Sequence, residues 1–249
     1  MEYQDKIKRI VEMLKESDRT LALTGAGVST ESGIPDYRSP GTGLWTKMNP
    51  TEVANVTALR RDPARFYNSN LERWTMYADS QPNIAHTALA QLEKDGLLLG
   101  IITQNIDGLH VKAGSKRVYE VHGHLRTCRC FDCEASYPFS ELTDQHGKGI
   151  NPPRCAKCNG VLRPDIVLFE DAMGQDYFLA SRMIIGCKLL LVVGSSLQVY
   201  PVASLPEHAK KLIIINQQPT PYDRYAEIVI NDVKAGQVFT DLMNALKPQ

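Results

Sequence analysis

Neither sign of charge dominates this chain of 249 residues: 28 lysines and arginines face 28 acidic residues, and no long basic run occurs. Sequence-independent nucleic-acid binding therefore has no electrostatic basis. Long hydrophobic runs are missing too. The longest, such as Leu189 to Val193, are far too short to span a bilayer. The N-terminus carries charges among its apolar residues and lacks the continuous apolar stretch of a secretory signal. Cysteine is sparse, six in all, and four of these fall in two Cys-x-x-Cys pairs. That usage suits a metal in a reducing compartment better than a disulfide framework. There is no internal repeat and no low-complexity segment. These absences predict a soluble, cytoplasmic protein with no membrane contact and no direct nucleic-acid partner. The length suffices for one domain plus an insertion, or for two modest domains.

What is present is organised around one stretch, Thr24-Gly25-Ala26-Gly27-Val28-Ser29-Thr30, running on to Gly33-Ile34-Pro35-Asp36-Tyr37-Arg38. It follows Leu21-Ala22-Leu23, which reads as a buried strand. Two glycines directly after a strand let the backbone turn tightly and bring its N–H groups against a ligand's phosphates. Such a loop usually opens a helix whose positive end faces the same anion. A tight turn without a ligand is the plainer reading of the same residues. The dinucleotide fingerprint would put a third glycine where Thr30 stands, and an acidic residue about 20 positions on, ending a second strand. That position falls near Trp45, in a polar segment with no strand pattern, so an ordinary dehydrogenase is disfavoured.

Ile7, Ile10, Val11 and Leu14 recur at helical spacing and predict an amphipathic helix over 3–16. From 39 to about 82 an irregular start gives way to short helical patterns after Pro63 (Phe66, Tyr67, Trp74, Tyr77), predicting a small helical insertion. A helix starts at Pro82-Asn83 and closes at Gly96. Buried strands are predicted at 97–103, 118–121, 166–169, 189–193, 212–216 and 228–230, with a closing helix over Val238, Leu242 and Leu246. Apolar runs alternating with helices imply an α/β fold, a parallel sheet with helices on both faces. Ligands of such sheets sit beyond the carboxyl ends of the strands. Polar residues cluster at those ends here: Gln104-Asn105-Ile106-Asp107, His122-Gly123, Gly194-Ser195-Ser196 and Asn216-Gln217-Gln218.

Cys130-x-x-Cys133 and Cys155-x-x-Cys158 stand about twenty residues apart, the spacing of a four-thiolate zinc site. With cysteine at every position no coordination site is open, so the metal is structural. Cys128 and Cys187 fall outside the spacing and read as spare thiols. His122, at a strand end, can exchange protons near neutral pH, although a structural histidine is the commoner case. Asn105 and Asp107 suit an amide or hydroxyl pair, or simply a capped turn. Arg38 suits a pyrophosphate or a surface ion pair. His86, His110, His124, His146 and His208 have no evident partner.

Taken together, Gly25-Ala26-Gly27-Val28-Ser29 with Gly33 to Arg38, Thr103 to His110, His122-Gly123, the two cysteine pairs, Arg163-Pro164 and Gly194-Ser195-Ser196-Leu197 resemble the signature of the sirtuins. This is the silent-information-regulator family of NAD-dependent protein deacylases, and the matching order covers about residues 20 to 235. The resemblance implies a Rossmann-like domain built from 1–38, 86–124 and 163–249, a helical module at 39–85 and a zinc-ribbon insertion at 125–162. It implies an NAD-dependent protein-lysine deacetylase that releases nicotinamide, O-acetyl-ADP-ribose and free lysine. In that family the acyl oxygen attacks the nicotinamide ribose, and the histidine, here His122, then acts as general base on a ribose hydroxyl.

By matching position, Gly25, Ala26, Thr30, Tyr37 and Arg38 would line the cofactor loop. Gln104 and Asn105 would position the ribose, and Ile106 and Asp107 the nicotinamide carboxamide. Gly194, Ser195 and Ser196 would meet phosphate or ribose, and Asn216, Asp232 and Val233 the adenosine end. Val167, Phe169 and Val199, with His122, would form an apolar tunnel for the lysine stem, which suits a neutral acyl-lysine because it is cheaply desolvated.

Two departures from the family pattern bear on specificity. Glu170-Asp171 stands where Gly-Glu is common after Phe169, which restricts the peptide-binding loop and adds an acid that would favour basic residues beside the lysine. Members that prefer malonyl- or succinyl-lysine carry Tyr-x-x-Arg in the helical module, whereas this chain has Tyr67 and Asn70. Losing that cation removes a charge-assisted bond of roughly 1.5–3 kcal/mol, so acetyl is expected over succinyl. A mono-ADP-ribosyltransferase, or a non-enzymatic NAD- or ADP-ribose-binding regulator, are the alternatives.

Overall fold

The computed structural model describes residues 1–41, 43–46 and 49–247. Helix α1 (Tyr3–Glu16) buries Ile7, Ile10, Val11 and Leu14, as their spacing predicts, and leads into strand β1 (Thr20–Thr24). The glycine turn opens a short 3-10 helix, Ala26–Ser32. Helices α2 (Pro50–Val53), α3 (Val56–Arg61) and α4 (Pro63–Asp79) follow. α4 is one continuous helix of 17 residues rather than short pieces. The Asp62 side chain caps it, and Pro63 occupies the first turn, where its missing N–H is not needed. Next come α5 (Ile84–Lys94), β2 (Ile101–Thr103), α6 (Leu109–Lys112), β3 (Val118–Glu120), β4 (Gly123–Cys130) and β5 (Ser136–Pro138). The chain continues through α7 (Ser140–Gly147), β6 (Leu162–Ile166), α8 (Gln175–Met183), β7 (Leu189–Val193), β8 (Lys211–Ile215), β9 (Ile228–Ile230) and α9 (Ala235–Leu246).

Six strands form a parallel sheet in the order β3-β2-β1-β7-β8-β9. Residues alternate between its faces with the two-residue period of a strand. Ala22, Leu191, Val193, Ile213 and Ile215 meet α1, α5 and α9 on one side. Leu21, Leu23, Leu190, Val192 and Ile214 meet Ala180 and Ile184 on the other. Each such buried aliphatic side chain contributes about 1.5–3 kcal/mol, which makes this double-faced sheet the main source of stability. Strand order reverses between β1 and β7, and that reversal opens a crevice at their carboxyl ends.

Two expected strands differ. The strand predicted at 166–169 lies instead at Leu162–Ile166, outside the parallel sheet. It pairs antiparallel with β4 in a second, three-stranded sheet ordered β5-β4-β6. Val167, Leu168 and Phe169 look strand-like because they are apolar, but Val167 and Phe169 are apolar to line a cavity. The strand predicted at 97–103 shortens to its last three residues. The lead-in bonds across to β1 through Leu99 N–H and the Thr20 carbonyl, 2.8 Å. Gly100 then passes Arg117 so closely that a Cβ would lie 2.8 Å from its carbonyl oxygen.

The small sheet and the inserted helices share a third core. Phe66, Tyr67, Leu71 and Trp74 of α4 pack with Cys128, Phe139, Leu142 and Leu162. The Tyr67 hydroxyl closes this contact by donating to the Leu162 carbonyl at 2.5 Å. No described helix is long and apolar enough to cross a membrane.

Candidate active site and thiolate cluster

Beyond β1 the backbone turns through Gly25 and Gly27 directly against the turn that follows β7. A Cβ on Gly25 would sit 2.8 Å from the Gly194 oxygen, one on Gly27 would sit 2.8 Å from the Gly194 Cα, and Gly194 itself has φ +61°. The glycines are thus required by the close approach of two loops as well as by any ligand. Gly27 N–H donates to the Gly194 carbonyl at 2.9 Å and locks the pair.

A cavity of about 770 Å³ opens at this crevice. Gly25, Ala26, Tyr37, Arg38, Gln104, Asn105, Ile106, His122, Gly194, Ser195, Ser196 and Asn216 line it, and so do Val167, Phe169 and Val199. Four of the expected cofactor residues are absent from its wall. Thr30 is exposed and turns its hydroxyl back to the Gly27 carbonyl at 3.0 Å. Asp107 lies one layer behind, Asp232 is exposed, and Val233 packs on the core beneath α9. Trp45 and Arg73 are lining residues that sequence reasoning passed over. The Arg38 guanidinium stacks 4.0 Å above the Trp45 ring, which also meets Tyr37 at 5.3 Å and Phe169 at 6.1 Å. Arg38 is therefore held in the cavity wall by an aromatic face rather than spent in a surface ion pair.

His122 Nδ1 lies 3.0 Å from the Gln104 carbonyl. A carbonyl only accepts, so Nδ1 carries the proton and Nε2 is left as the basic nitrogen. Burial pushes the His122 pKa below the usual histidine range, with the Gln104 bond pulling partly back. The imidazole is neutral at neutral pH and ready to take a proton. Gln104 in turn donates to Ser195 Oγ at 2.7 Å, which ties the end of β2 to the end of β7.

Behind this wall is a buried polar network. Asn105 Nδ2 donates to Ser29 Oγ at 3.0 Å, and Ser29 donates to Asp107 Oδ2 at 2.7 Å. Burial raises the Asp107 pKa, opposed by the Leu109 N–H and the Ser29 hydroxyl. His86 and His110 lie beneath, their rings tilted against one another with centroids 4.8 Å apart. His86 Nε2 reaches Ser29 Oγ at 3.4 Å, and His110 Nε2 reaches Thr24 Oγ1 at 2.9 Å. Burial lowers both imidazole pKa values, that of His86 to about 4. These two histidines, left without partners on sequence, are the support of the glycine loop. The one local signal was Asn83-x-x-His86, the spacing of a capping box at the start of α5.

The segment after β6 forms the opposite wall. Val167 N–H donates to the His122 carbonyl at 2.8 Å. Phe169 bonds to the inserted helices, its N–H to the Ala54 carbonyl at 2.8 Å and its carbonyl to Val56 N–H at 3.1 Å. Glu170 has φ +73°, a backbone state that glycine adopts most cheaply. Thr57 Oγ1 donates to its carboxylate at 2.6 Å and secures it there. The buried Arg163 clasps the Asp171 carboxylate through two nitrogens, at 2.6 and 3.1 Å. Asp171 is thus paired with a cation, whereas Glu170 is exposed and keeps its charge beside the Thr57 hydroxyl. Tyr67 is fully buried in the third core rather than facing the cavity. Asn70 reaches the wall, and its carbonyl oxygen accepts from Arg73.

The four cysteines converge as their spacing predicts. All four Sγ atoms of Cys130, Cys133, Cys155 and Cys158 lie within 4.8 Å of one another. Zinc–sulfur bonds of about 2.3 Å in a tetrahedron demand sulfurs about 3.8 Å apart, and the closer pairs here span 3.4 to 3.6 Å. Backbone N–H groups of Asp132 and Lys157 point at Cys130 and Cys155 Sγ at 3.3 and 3.4 Å. The Tyr137 hydroxyl lies 3.1 Å from Cys155 Sγ and brings that thiol's pKa down to about 6. Thiolates with backbone donors fit a structural zinc ion. Cys128 and Cys187 point elsewhere, to the Pro138 and Leu189 carbonyls, and burial raises the pKa of each.

The sequence profile described as the Sir2 family matches residues 25–201. The chain belongs to the Sir2 family. Among curated Sir2 relatives, the chain is 47% identical to NAD-dependent protein deacetylase 2 of Caldanaerobacter subterraneus subsp. tengcongensis, over 99% of this chain and 98% of that one. It is 41% identical to NAD-dependent protein deacylase 2 of Archaeoglobus fulgidus, over 98% and 97%. Among solved structures, a Sir2 variant with a deacetylated p53 peptide and 3'-O-acetyl ADP-ribose superposes with a TM-score of 0.91 at 36% identity, covering 96% of this chain and 97% of that one. Sir2Tm bound to a propionylated peptide gives a TM-score of 0.87, also at 36% identity, over 96% and 98%.

Proposed function

We propose that this Sir2-family chain is an NAD-dependent protein-lysine deacetylase that passes the acetyl group to ADP-ribose. The observation that carries the reading is His122, a neutral imidazole with Nδ1 committed to a carbonyl and Nε2 left basic in the wall of the crevice. When bound, NAD supplies a ribose carbon bearing nicotinamide as a leaving group, and ribose hydroxyls to receive the acetyl group.

The chain's residues divide the work. The glycine loop, Gly194, Ser195, Ser196 and Asn216 form a polar floor suited to phosphates and riboses, with Arg38 as the cation beside it. Asn105 orients the ribose through its carboxamide, and Asp107, one layer back, fixes the geometry for the nicotinamide end. His122 Nε2 takes the proton of a ribose hydroxyl as that hydroxyl attacks the acyl carbon, a general-base role worth typically 10²–10⁴-fold. Val167, Phe169 and Val199 hold the aliphatic lysine stem and exclude water from the acyl group. We assign 1–38, 86–124 and 163–249 to the Rossmann-like domain, 39–85 to the helical module and 125–162 to the zinc module. Two Cys-x-x-Cys pairs that suit a metal rather than disulfides support a reducing compartment, the cytoplasm, as its setting.

Mass spectrometry of NAD with an acetyl-lysine peptide and the protein tests this reading. Nicotinamide and O-acetyl-ADP-ribose are expected in step with deacetylated peptide. Nicotinamide release with ADP-ribose retained on protein, and no deacetylation, would replace it with a mono-ADP-ribosyltransferase.

A further inference from the structure

The turn that carries the cavity wall after β6 is built on one buried guanidinium. Arg163 Nη2 donates to the Ile166 carbonyl at 2.9 Å and to Asp171 Oδ2 at 2.6 Å, and Nη1 donates to Asp171 Oδ1 at 3.1 Å. The same carboxylate accepts Leu168 N–H at 2.9 Å, and Asp171 N–H returns to the Leu168 carbonyl at 3.0 Å. These bonds fix both ends of the turn that presents Val167 and Phe169 to the cavity. They use the edge of the guanidinium, where its N–H groups lie. Its face is spent on Phe131, with the Arg163 Cζ 5.2 Å from the ring centroid.

Strand register accounts for that contact. Arg129 pairs with Arg163 and Cys130 with Leu162 across β4 and β6, and Phe131 N–H continues the ladder to the Val161 carbonyl at 3.0 Å. Phe131 and Arg163 are therefore diagonal cross-strand neighbours on one face, within reach for an aromatic and a long side chain. The thiolate turn steadies the backbone that carries the ring, since Asp132 N–H points at Cys130 Sγ at 3.3 Å. Arg60, in the last turn of α3, lies over the same ring at 5.0 Å. One phenyl ring thus joins the thiolate turn, the inserted helices and the guanidinium that shapes the wall.

We propose that Phe131 is a positioning residue for the acyl-lysine peptide: its ring face holds the Arg163 guanidinium in the orientation that grips Ile166 and Asp171, and so sets the wall formed by Val167 and Phe169. Phe131 does not itself line the cavity. A cation over a ring face contributes most where the cation is desolvated, as the buried Arg163 is. The identity of the peptide rests on the deacetylase reading, whereas the contact and the shape of the wall do not.

Two substitutions separate the ring face from mere bulk. Phe131→Leu keeps an apolar side chain and deletes the face, and Phe131→Tyr keeps the face. Phe131→Leu is expected to raise the acetyl-lysine peptide KM about three- to tenfold, with kcat and the NAD KM within about twofold of the wild type. Phe131→Tyr is expected to keep the wild-type peptide KM. A wild-type peptide KM for Phe131→Leu, an equal rise in both variants, or an NAD KM that rises in parallel would overturn the assignment. Hydrogen exchange of the metal-loaded protein without substrates supplies the arm that needs no activity. In Phe131→Leu the amides of Leu168 and Asp171 are expected to exchange about three- to tenfold faster, while those of β1 and β7 stay as they are. Wild-type exchange at Leu168 and Asp171, or equal acceleration in the parallel sheet, would overturn the assignment. Faster exchange confined to these amides, in a protein whose wild type fails to deacetylate, would sink the deacetylase reading and leave the role of Phe131 in shaping the wall intact.

Discussion

The two sheets on either side of the crevice are held by different forces. The parallel sheet is apolar on both faces, and its site residues hang from strand ends fixed by backbone contact between glycine loops. The three-stranded sheet has one modest core shared with α4, and four thiolates at its far end. Its cavity-facing segment is pinned by charge, through Arg163 to Asp171 and Thr57 to Glu170. In the proposed reaction, the chemistry around His122 and Asn105 would rest on the sheet whose two faces are both apolar cores. In the same reading, recognition of the peptide would fall to the wall that a few polar contacts hold in shape.

Removing the metal should break this comparison most visibly. With chelator, the amides of residues 123–166 should lose hydrogen-exchange protection while β1, β7 and β8 keep theirs, because metal binding there is folding energy. Equal loss in both sheets would mean that they fold as one unit. Acid should strike the other side. His86, His110 and His122 all have pKa values lowered by burial. The unfolded chain then binds more protons below about pH 6.5, so stability is intact above that pH and is lost as pH falls. Each such imidazole contributes up to about 1.4 kcal/mol per pH unit in that window. Melting temperatures of the metal-loaded protein from pH 7 down to 5 should fall accordingly, and a flat profile would contradict the burial of these rings.

The substrate wall gives the smaller effects. Asn70 offers a carboxylate no cation of its own, and Arg73 beside it is bonded to the Asn70 oxygen. Acetyl-lysine peptides should therefore outpace succinyl-lysine peptides by about tenfold or more in kcat/KM, and equal turnover would show that Arg73 serves the acyl carboxylate. Smallest of all is Glu170→Gly. It relieves the left-handed backbone but deletes the Thr57 bond, so the two effects should offset and the melting temperature should stay near that of the wild type. Preference for basic flanking residues should weaken, since the exposed carboxylate keeps its charge beside Thr57, and an unchanged preference across a peptide panel would remove Glu170 as a selector.

Much of the parallel sheet was legible because its strands are continuous apolar runs at 189–193 and 212–215, each followed by polar residues. The thiolate set was legible from spacing alone. β6 was misread because Leu162-Arg163-Pro164-Asp165-Ile166 hides a strand behind charge and proline, while the apolar Val167-Leu168-Phe169 imitates one. The Ser29–His86–His110 support was invisible because its bonds join residues 57 to 86 positions apart. Thr30, Asp232 and Val233 were assigned by matching position, and the cavity wall does not reach them. Trp45 was noted only as the site of a missing acid, yet its ring carries Arg38.

The central claim is that a neutral His122 takes a proton at Nε2, and product analysis of His122→Ala tests it most directly. With NAD and an acetyl-lysine peptide, a folded His122→Ala protein should form O-acetyl-ADP-ribose and deacetylated peptide at least about a hundredfold more slowly than the wild type. Formation of both products at the wild-type rate would contradict the account.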